Sequence, residues 1–341
     1  MPITVSDPFN AAQDPELAAL ALALDPETAR GELRRRLPRL SGDGKLRLRT
    51  IRVTRYKPGR RCLVEYEVQL VRPGQAPTEL TLIGKIRARR FGNESFRLLD
   101  QVWKAGFDQG SADGITVPEP LGVIARFQMW FQRKVPGRDA TEVIGGPDGI
   151  ALGKRVAEAA HKLHTAGITP ERAHGMSDEL RILNESLAKV AALKPEWEAR
   201  IQRVMRGCVA LGEKVRPPRA CGIHRDFYPA QVMVDGARIC LLDFDLYCLG
   251  DPALDAGNFL GHMTEQAVRE FGRPDALAAQ ESALRERFIE LSGESCRGPV
   301  EAYTTLTLAR HIYLSTRFEE RRALTETVLE LCEQRIAGAG I

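Results

Sequence analysis

The sequence has no apolar run long enough to cross a bilayer. Its most apolar early stretch, LAALALAL (17–24), is too short, and Asp14 and Glu16 precede it where an export signal would be basic. It reads as a helix face, and the chain as a cytoplasmic protein with no membrane partner. None of the seven cysteines, at 62, 208, 221, 240, 248, 296 and 332, forms a C-x-x-C pair, and their number is odd. Buried, reduced thiols are therefore expected in place of a disulfide frame or a zinc site. There is no internal repeat and no low-complexity tract. The basic run RGELRRRLPRL (30–40) has no interleaved aromatics, so it reads as a solvated helix face and not as a nucleic-acid arm.

What is present is a globular chain of 341 residues, 43% apolar and 28% charged, long enough for two lobes. Its net charge of +4 is unevenly spread. Residues 1–100 carry 19 Lys/Arg against 12 Asp/Glu, and residues 251–341 carry 10 against 15. A basic front suits a phosphate-bearing ligand, and a mildly acidic back tolerates a cationic substrate. Ordinary solvated faces would give the same imbalance.

Residues of about 8–40 read as a detached helical extension closed at Pro38. The period then changes to two. LVEYEVQLV (63–71) places Val64, Tyr66, Val68 and Leu70 on one face, and LTLIGKIRA (80–88) places Leu82, Gly84 and Ile86 opposite Lys85. With LRLRTIRV (46–53) and the YKPGRR turn (56–61), these strands predict an antiparallel meander followed by a helix over 93–107. After an aromatic-rich strand (127–137) the composition turns helical, over 151–167 and at roughly 178–214, 263–292 and 300–336. Strands first and helices after is an α+β pattern. The expected division is a front lobe of residues 1–133 and a mostly helical back lobe of 134–341.

The acidic residues of the back lobe come in two stretches, HRDFYPAQV (224–232) and LLDFD (241–245). Between them, Asp235-Gly236 flanked by apolar runs predicts a hairpin with those two residues as its loop. Residue 231 then faces 240 and 228 faces 243, so Asp226, Gln231, Asp243 and Asp245 gather at the open end. Carboxylates this close raise one another's pKa unless a cation lies between them. Hard oxygen ligands with no His or Cys partner favour Mg²⁺.

These stretches resemble the catalytic-loop and metal motifs of the aminoglycoside phosphotransferase and choline-kinase-like enzymes, relatives of the protein kinases. Their pattern is H-x-D-x-x-x-x-N, then D-F-D or a variant, then G-D-P-x-x-D, here GDPALD at 250–255. The resemblance implies a two-lobed protein-kinase-like fold. It implies transfer of the γ-phosphoryl group of ATP, or GTP as alternative, to a hydroxyl of a small-molecule acceptor, dependent on Mg²⁺. By position, Asp226 matches the catalytic aspartate and Asp243 the metal-holding acid. Gln231 stands where the family usually has Asn as second ligand, with Asp245 next in line. Lys85 matches the lysine that pairs with the α/β-phosphates, Glu94 is its partner, and the YKPGRR turn brings Arg60 and Arg61 over the phosphates. His224 and Asp255 are expected to brace the loop, and His161 and His164 to serve packing. The turn has one Gly and Gln replaces Asn, so a pseudokinase serving as a nucleotide-sensing or partner-binding module is the second reading.

Overall fold

Alternating side chains build the first sheet. In β3 (Arg61–Val71), Cys62, Val64, Tyr66, Val68 and Leu70 are buried and the residues between them are partly exposed. That is the period of a sheet covered on one face. The computed structural model describes residues 2–37, 40, 44–88, 93–216 and 220–340. The chain divides into two compact units, Met1–Pro136 and Gly137–Ile341.

The first unit carries β1 (Thr4–Ser6), β2 (Lys45–Lys57), β3, β4 (Thr78–Arg87), β5 (Pro120–Ile124) and β6 (Met129–Arg133), in the sheet order β1-β2-β3-β4-β6-β5. The pairs from β2 to β5 are antiparallel, as expected. β1 is a correction to the meander, because it adds to β2 in parallel. The N-terminal extension is a second correction: it is not detached. Leu17, Leu20, Leu24 and Leu33 share one apolar core with Ile51, Tyr66 and Phe131 of the sheet, and the Tyr66 hydroxyl donates to the Ala23 carbonyl at 3.0 Å. Two aspartates break the extension into pieces. Asp14 caps a 3₁₀ turn, and Asp25 accepts the Thr28 N–H ahead of Pro26, separating α1 (Leu20–Leu24) from α2 (Pro26–Arg36). Its expected closure at Pro38 lies outside the described residues. The helix expected over 93–107 is α3 (Glu94–Val102), followed by a wider turn in which Gly106 takes φ +92°.

The second unit is mostly helical. α4 (Gly149–Thr165) buries Leu152, Val156, Ala159 and Leu163. Each of the three longer expected helices is a pair. Pro195 lies between α5 (Met176–Leu193) and α6 (Glu198–Lys214), and Gly272 at φ +72° ends α7 (Pro252–Phe271) before α8 (Ala278–Ser292). α9 (Arg297–Arg317) and α10 (Thr325–Gly338) complete the unit. α9 is central: Leu306, Leu308 and Ile312 meet Leu187 of α5, Val204 of α6 and Leu329 of α10. Among the described residues no helix is long and apolar enough to cross a membrane. All seven cysteines are free thiols, and burial pushes those at 62, 208 and 248 up to about 12.

Candidate active site

Two short strand pairs of the second unit present the motif residues. β7 (Cys221–Ile223) pairs with β10 (Cys248–Gly250), and β8 (Val232–Asp235) with β9 (Arg238–Leu241). In the second pair Asp235 faces Arg238 and Val232 faces Leu241, so the loop is Gly236-Ala237 and not Asp235-Gly236. Gly236 at φ +58° opens the loop, and Ala237 is not left-handed. A glycine needed only at the first position is the requirement of a II′ connection. The register therefore moves by two. Residue 231 stands opposite 242, joined by the Leu242 N–H to the Gln231 carbonyl at 2.8 Å.

The catalytic-type loop is held from below by Asp255, on the first turn of α7 and fully buried. Its Oδ2 accepts the His224 N–H at 2.8 Å and its Oδ1 the Arg225 N–H at 2.7 Å. His164 Nε2 reaches the same carboxylate at 2.8 Å, so His164 is part of this brace and not merely a packing residue. Arg225 sits at φ +68°, a conformation costing a non-glycine residue roughly 1–2 kcal/mol. The two bonds from Asp255 hold the backbone there. His224 is fully buried between the Phe227 and Phe244 rings and donates through Nε2 to the Leu242 carbonyl at 2.7 Å. That bond ties the catalytic-type loop to the segment bearing Asp243.

Asp226 follows Arg225 and is partly buried. Desolvation raises its pKa, and the charge of Asp243 adds to the rise. His224, Arg310 and Arg225 pull against it. Asp243 is itself left-handed, at φ +58°, and its Oδ1 is buried with no hydrogen-bond partner. Gln231 donates through Nε2 to the Tyr228 hydroxyl at 3.2 Å, which fixes the carboxamide and leaves its oxygen to accept. Asp245 lies partly buried on the 3₁₀ turn Phe244–Leu246. Among the described residues no three His, Cys, Asp or Glu side chains form a metal-holding group, so the expected gathering of three carboxylates does not amount to a cage. An orphaned carboxylate oxygen on Asp243 and an oriented carboxamide on Gln231, whose backbone bonds the residue before Asp243, still fit Mg²⁺, which takes one or two carboxylates and completes its shell with waters and phosphate oxygens.

Three side chains around the loop carried no sequence motif of their own. Asn258 Nδ2 donates to the Phe227 carbonyl at 2.9 Å, and its Oδ1 accepts from Arg310 at 2.6 Å. Its one signal was its place three residues beyond Asp255, on the same helix face. Arg310 also pairs with Glu179 at 3.4 Å, and nothing in local spacing links residues 131 apart.

In the first unit Lys85 is on β4, on the face opposite the buried Leu82, Gly84 and Ile86. Its ammonium lies 4.6 Å from the centroid of Trp130, its cross-strand neighbour. Glu94 is the exposed first residue of α3. Arg60 is exposed in the turn between β2 and β3, and Arg61, the first residue of β3, pairs with Lys57.

Residues 68–291, more than half of the chain, match the phosphotransferase enzyme family (APH). The chain belongs to that family. The matched region of this phosphotransferase contains Lys85, Glu94 and all three motif blocks, whereas Arg60 and Arg61 lie before it. Solved structures agree in fold. A choline/ethanolamine kinase family protein from Mesorhizobium loti is 18% identical with a TM-score of 0.56, covering 94% of this chain and 93% of its own. A choline kinase from Cryptosporidium parvum is 11% identical at 0.55, covering 91% and 95%. A spectinomycin phosphotransferase solved with ADP and spectinomycin is 10% identical at 0.51, covering 90% and 93%. No curated protein matches the sequence. The phosphotransferase thus has the two-lobed α+β fold of the kinase-like enzymes.

Proposed function

We propose that this phosphotransferase moves the γ-phosphoryl group of ATP to a hydroxyl of a small-molecule acceptor, with Mg²⁺. The observation that carries the reading is Asp226 on a loop locked by Asp255, with the charge of Asp243 and its unpartnered Oδ1 close by. Asp226 takes or orients the acceptor's hydroxyl proton. Burial makes its carboxylate a better proton acceptor than one in water, and the fixed backbone holds it in one place. Mg²⁺, when bound, neutralises charge on the phosphate oxygens. Asp243 and Gln231 would hold it, with Asp245 as the next candidate. Lys85 pairs with the α/β-phosphates and Glu94 steadies Lys85; Arg60 and Arg61 add positive charge.

Relatives have been seen with ADP and with AMP-PNP, which supports ATP as the donor; GTP has no such support. No observation favours the pseudokinase reading, because the catalytic-type loop and the Asp243 segment are both built and braced. A cytoplasmic enzyme acting on a metabolite or antibiotic is the setting this chemistry implies.

The test is to incubate purified protein with ATP, Mg²⁺ and pools of hydroxyl-bearing acceptors, and to follow phosphate transfer by mass spectrometry. Transfer to at least one acceptor is expected, and calorimetry should show nucleotide binding that Lys85→Ala weakens. Absence of both transfer and nucleotide binding, with and without Mg²⁺, would sink the reading.

A further inference from the structure

The turn between β2 and β3 has few backbone donors to give a phosphate. Pro58 has no N–H. The Arg60 N–H donates to the Lys57 carbonyl at 3.0 Å. The Gly59 N–H, on the turn's one glycine at φ +62°, donates to Asp14 Oδ2 at 2.7 Å. The same oxygen accepts from the Tyr56 hydroxyl at 3.0 Å, and Asp14 Oδ1 accepts the Glu16 N–H at 2.9 Å. Asp14 is 8% exposed and comes from a segment 45 residues earlier in the chain. The Phe9 ring centroid lies 6.1 Å from that of Tyr56.

The turn's free chemistry is therefore in its side chains. Arg55, Lys57, Arg60 and Arg61 are close enough that the charge of Arg61 is the largest cause of a lowered Lys57 pKa, with burial, Arg55 and Arg60 adding to it. A glycine-rich loop grips phosphate with backbone N–H groups that stay open to the ligand. Here a buried carboxylate has taken the one glycine N–H.

We infer that the 57–61 turn recognises the nucleotide phosphates through the side chains of Lys57, Arg60 and Arg61, and that Asp14 is the positioning residue that fixes the turn's backbone for them. This rests on the nucleotide reading above. Asp14 does not touch the nucleotide; it acts through Gly59 and Tyr56. The N-terminal extension is thereby part of the donor site's machinery and not an appendage.

The experiment compares binding of ATP with binding of adenosine, which lacks phosphates, by calorimetry on the full-length protein. Asp14→Asn keeps the shape but cannot supply both carboxylate oxygens as acceptors. It is expected to weaken ATP binding about tenfold, as loss of hydrogen bonds to a charged group does, and to leave adenosine binding unchanged. Tyr56→Phe removes one of the bonds, is compatible with the fold even where Asp14→Asn is not, and should give a smaller loss of the same kind. Arg60→Ala combined with Arg61→Ala should weaken ATP binding and flatten its dependence on salt. Equal losses for ATP and adenosine would make Asp14 a purely structural residue and overturn the inference. So would unchanged ATP binding in both Asp14→Asn and Tyr56→Phe. If the wild type bound adenosine and ATP equally, phosphate recognition by the turn would be refuted; if it bound neither, the nucleotide reading itself would fall.

Discussion

The carboxylate of Asp255 accepts the backbone N–H of Arg225 at 2.7 Å, one residue before Asp226. The other oxygen serves His224 and His164, so both carboxylate oxygens take part in holding the loop. Asp255→Asn turns one oxygen into a donor facing another donor. The expected cost is about 1–3 kcal/mol of stability for the orphaned group, read by denaturant unfolding. Turnover should fall by more than the KM for ATP rises, since the loop bears the residue proposed to serve the acceptor. A variant with normal stability and normal turnover would show that the loop holds itself.

Gln231 is predicted to be a metal ligand. Its amide nitrogen is engaged by Tyr228, so its oxygen is the atom that presents itself. Gln231→Ala should raise the Mg²⁺ concentration for half-maximal activity several-fold, with less effect on nucleotide binding measured without metal. Gln231→Asn should keep measurable activity, because the carboxamide is retained. If the metal titration of Gln231→Ala overlays that of the wild type, the second ligand lies elsewhere, with Asp245 the next to examine.

Stability should fall on acidification partly through His311. It is 2% exposed, with its ring edge-on to His262 at 4.4 Å. Burial, with the charges of Arg310, Arg321 and Arg269, pushes its pKa down from 6.5 to about 3. The folded state keeps it neutral while the unfolded chain protonates it, so its share of stability is complete above the unfolded value and drains as pH falls toward the folded one. His311→Phe should therefore lose less Tm than the wild type between about pH 7 and about pH 5. Parallel Tm profiles would contradict this.

The parts legible in the sequence were those encoded by local period or spacing. Val64, Tyr66, Val68 and Leu70 announced the covered face of β3, and Asp226, Asp243 and Asp255 announced the loop and its brace. The hairpin register differs by two residues from the expected one because Asp235-Gly236 and Gly236-Ala237 are both plausible loops. The φ of Gly236 and Ala237, which decides between II′ and I′, is set by the pairing itself. The extension reads as detached in the sequence because LAALALAL looks like an uninterrupted helix face. Its fate depends on Asp14 and Asp25 acting as caps and on a sheet that lies later in the chain. Asp14 with Gly59, and Arg310 with Glu179, join residues distant in sequence, and no local pattern marks such pairs.

The proposed service of Asp226 to the acceptor hydroxyl is open to test by a single substitution. Asp226→Asn keeps the shape of the side chain while removing its charge and its capacity to take a proton. Steady-state transfer to the acceptor found by screening should fall by roughly 10²-fold or more, while ATP affinity by calorimetry stays close to that of the wild type. Full transfer activity in Asp226→Asn would rule out that role for Asp226.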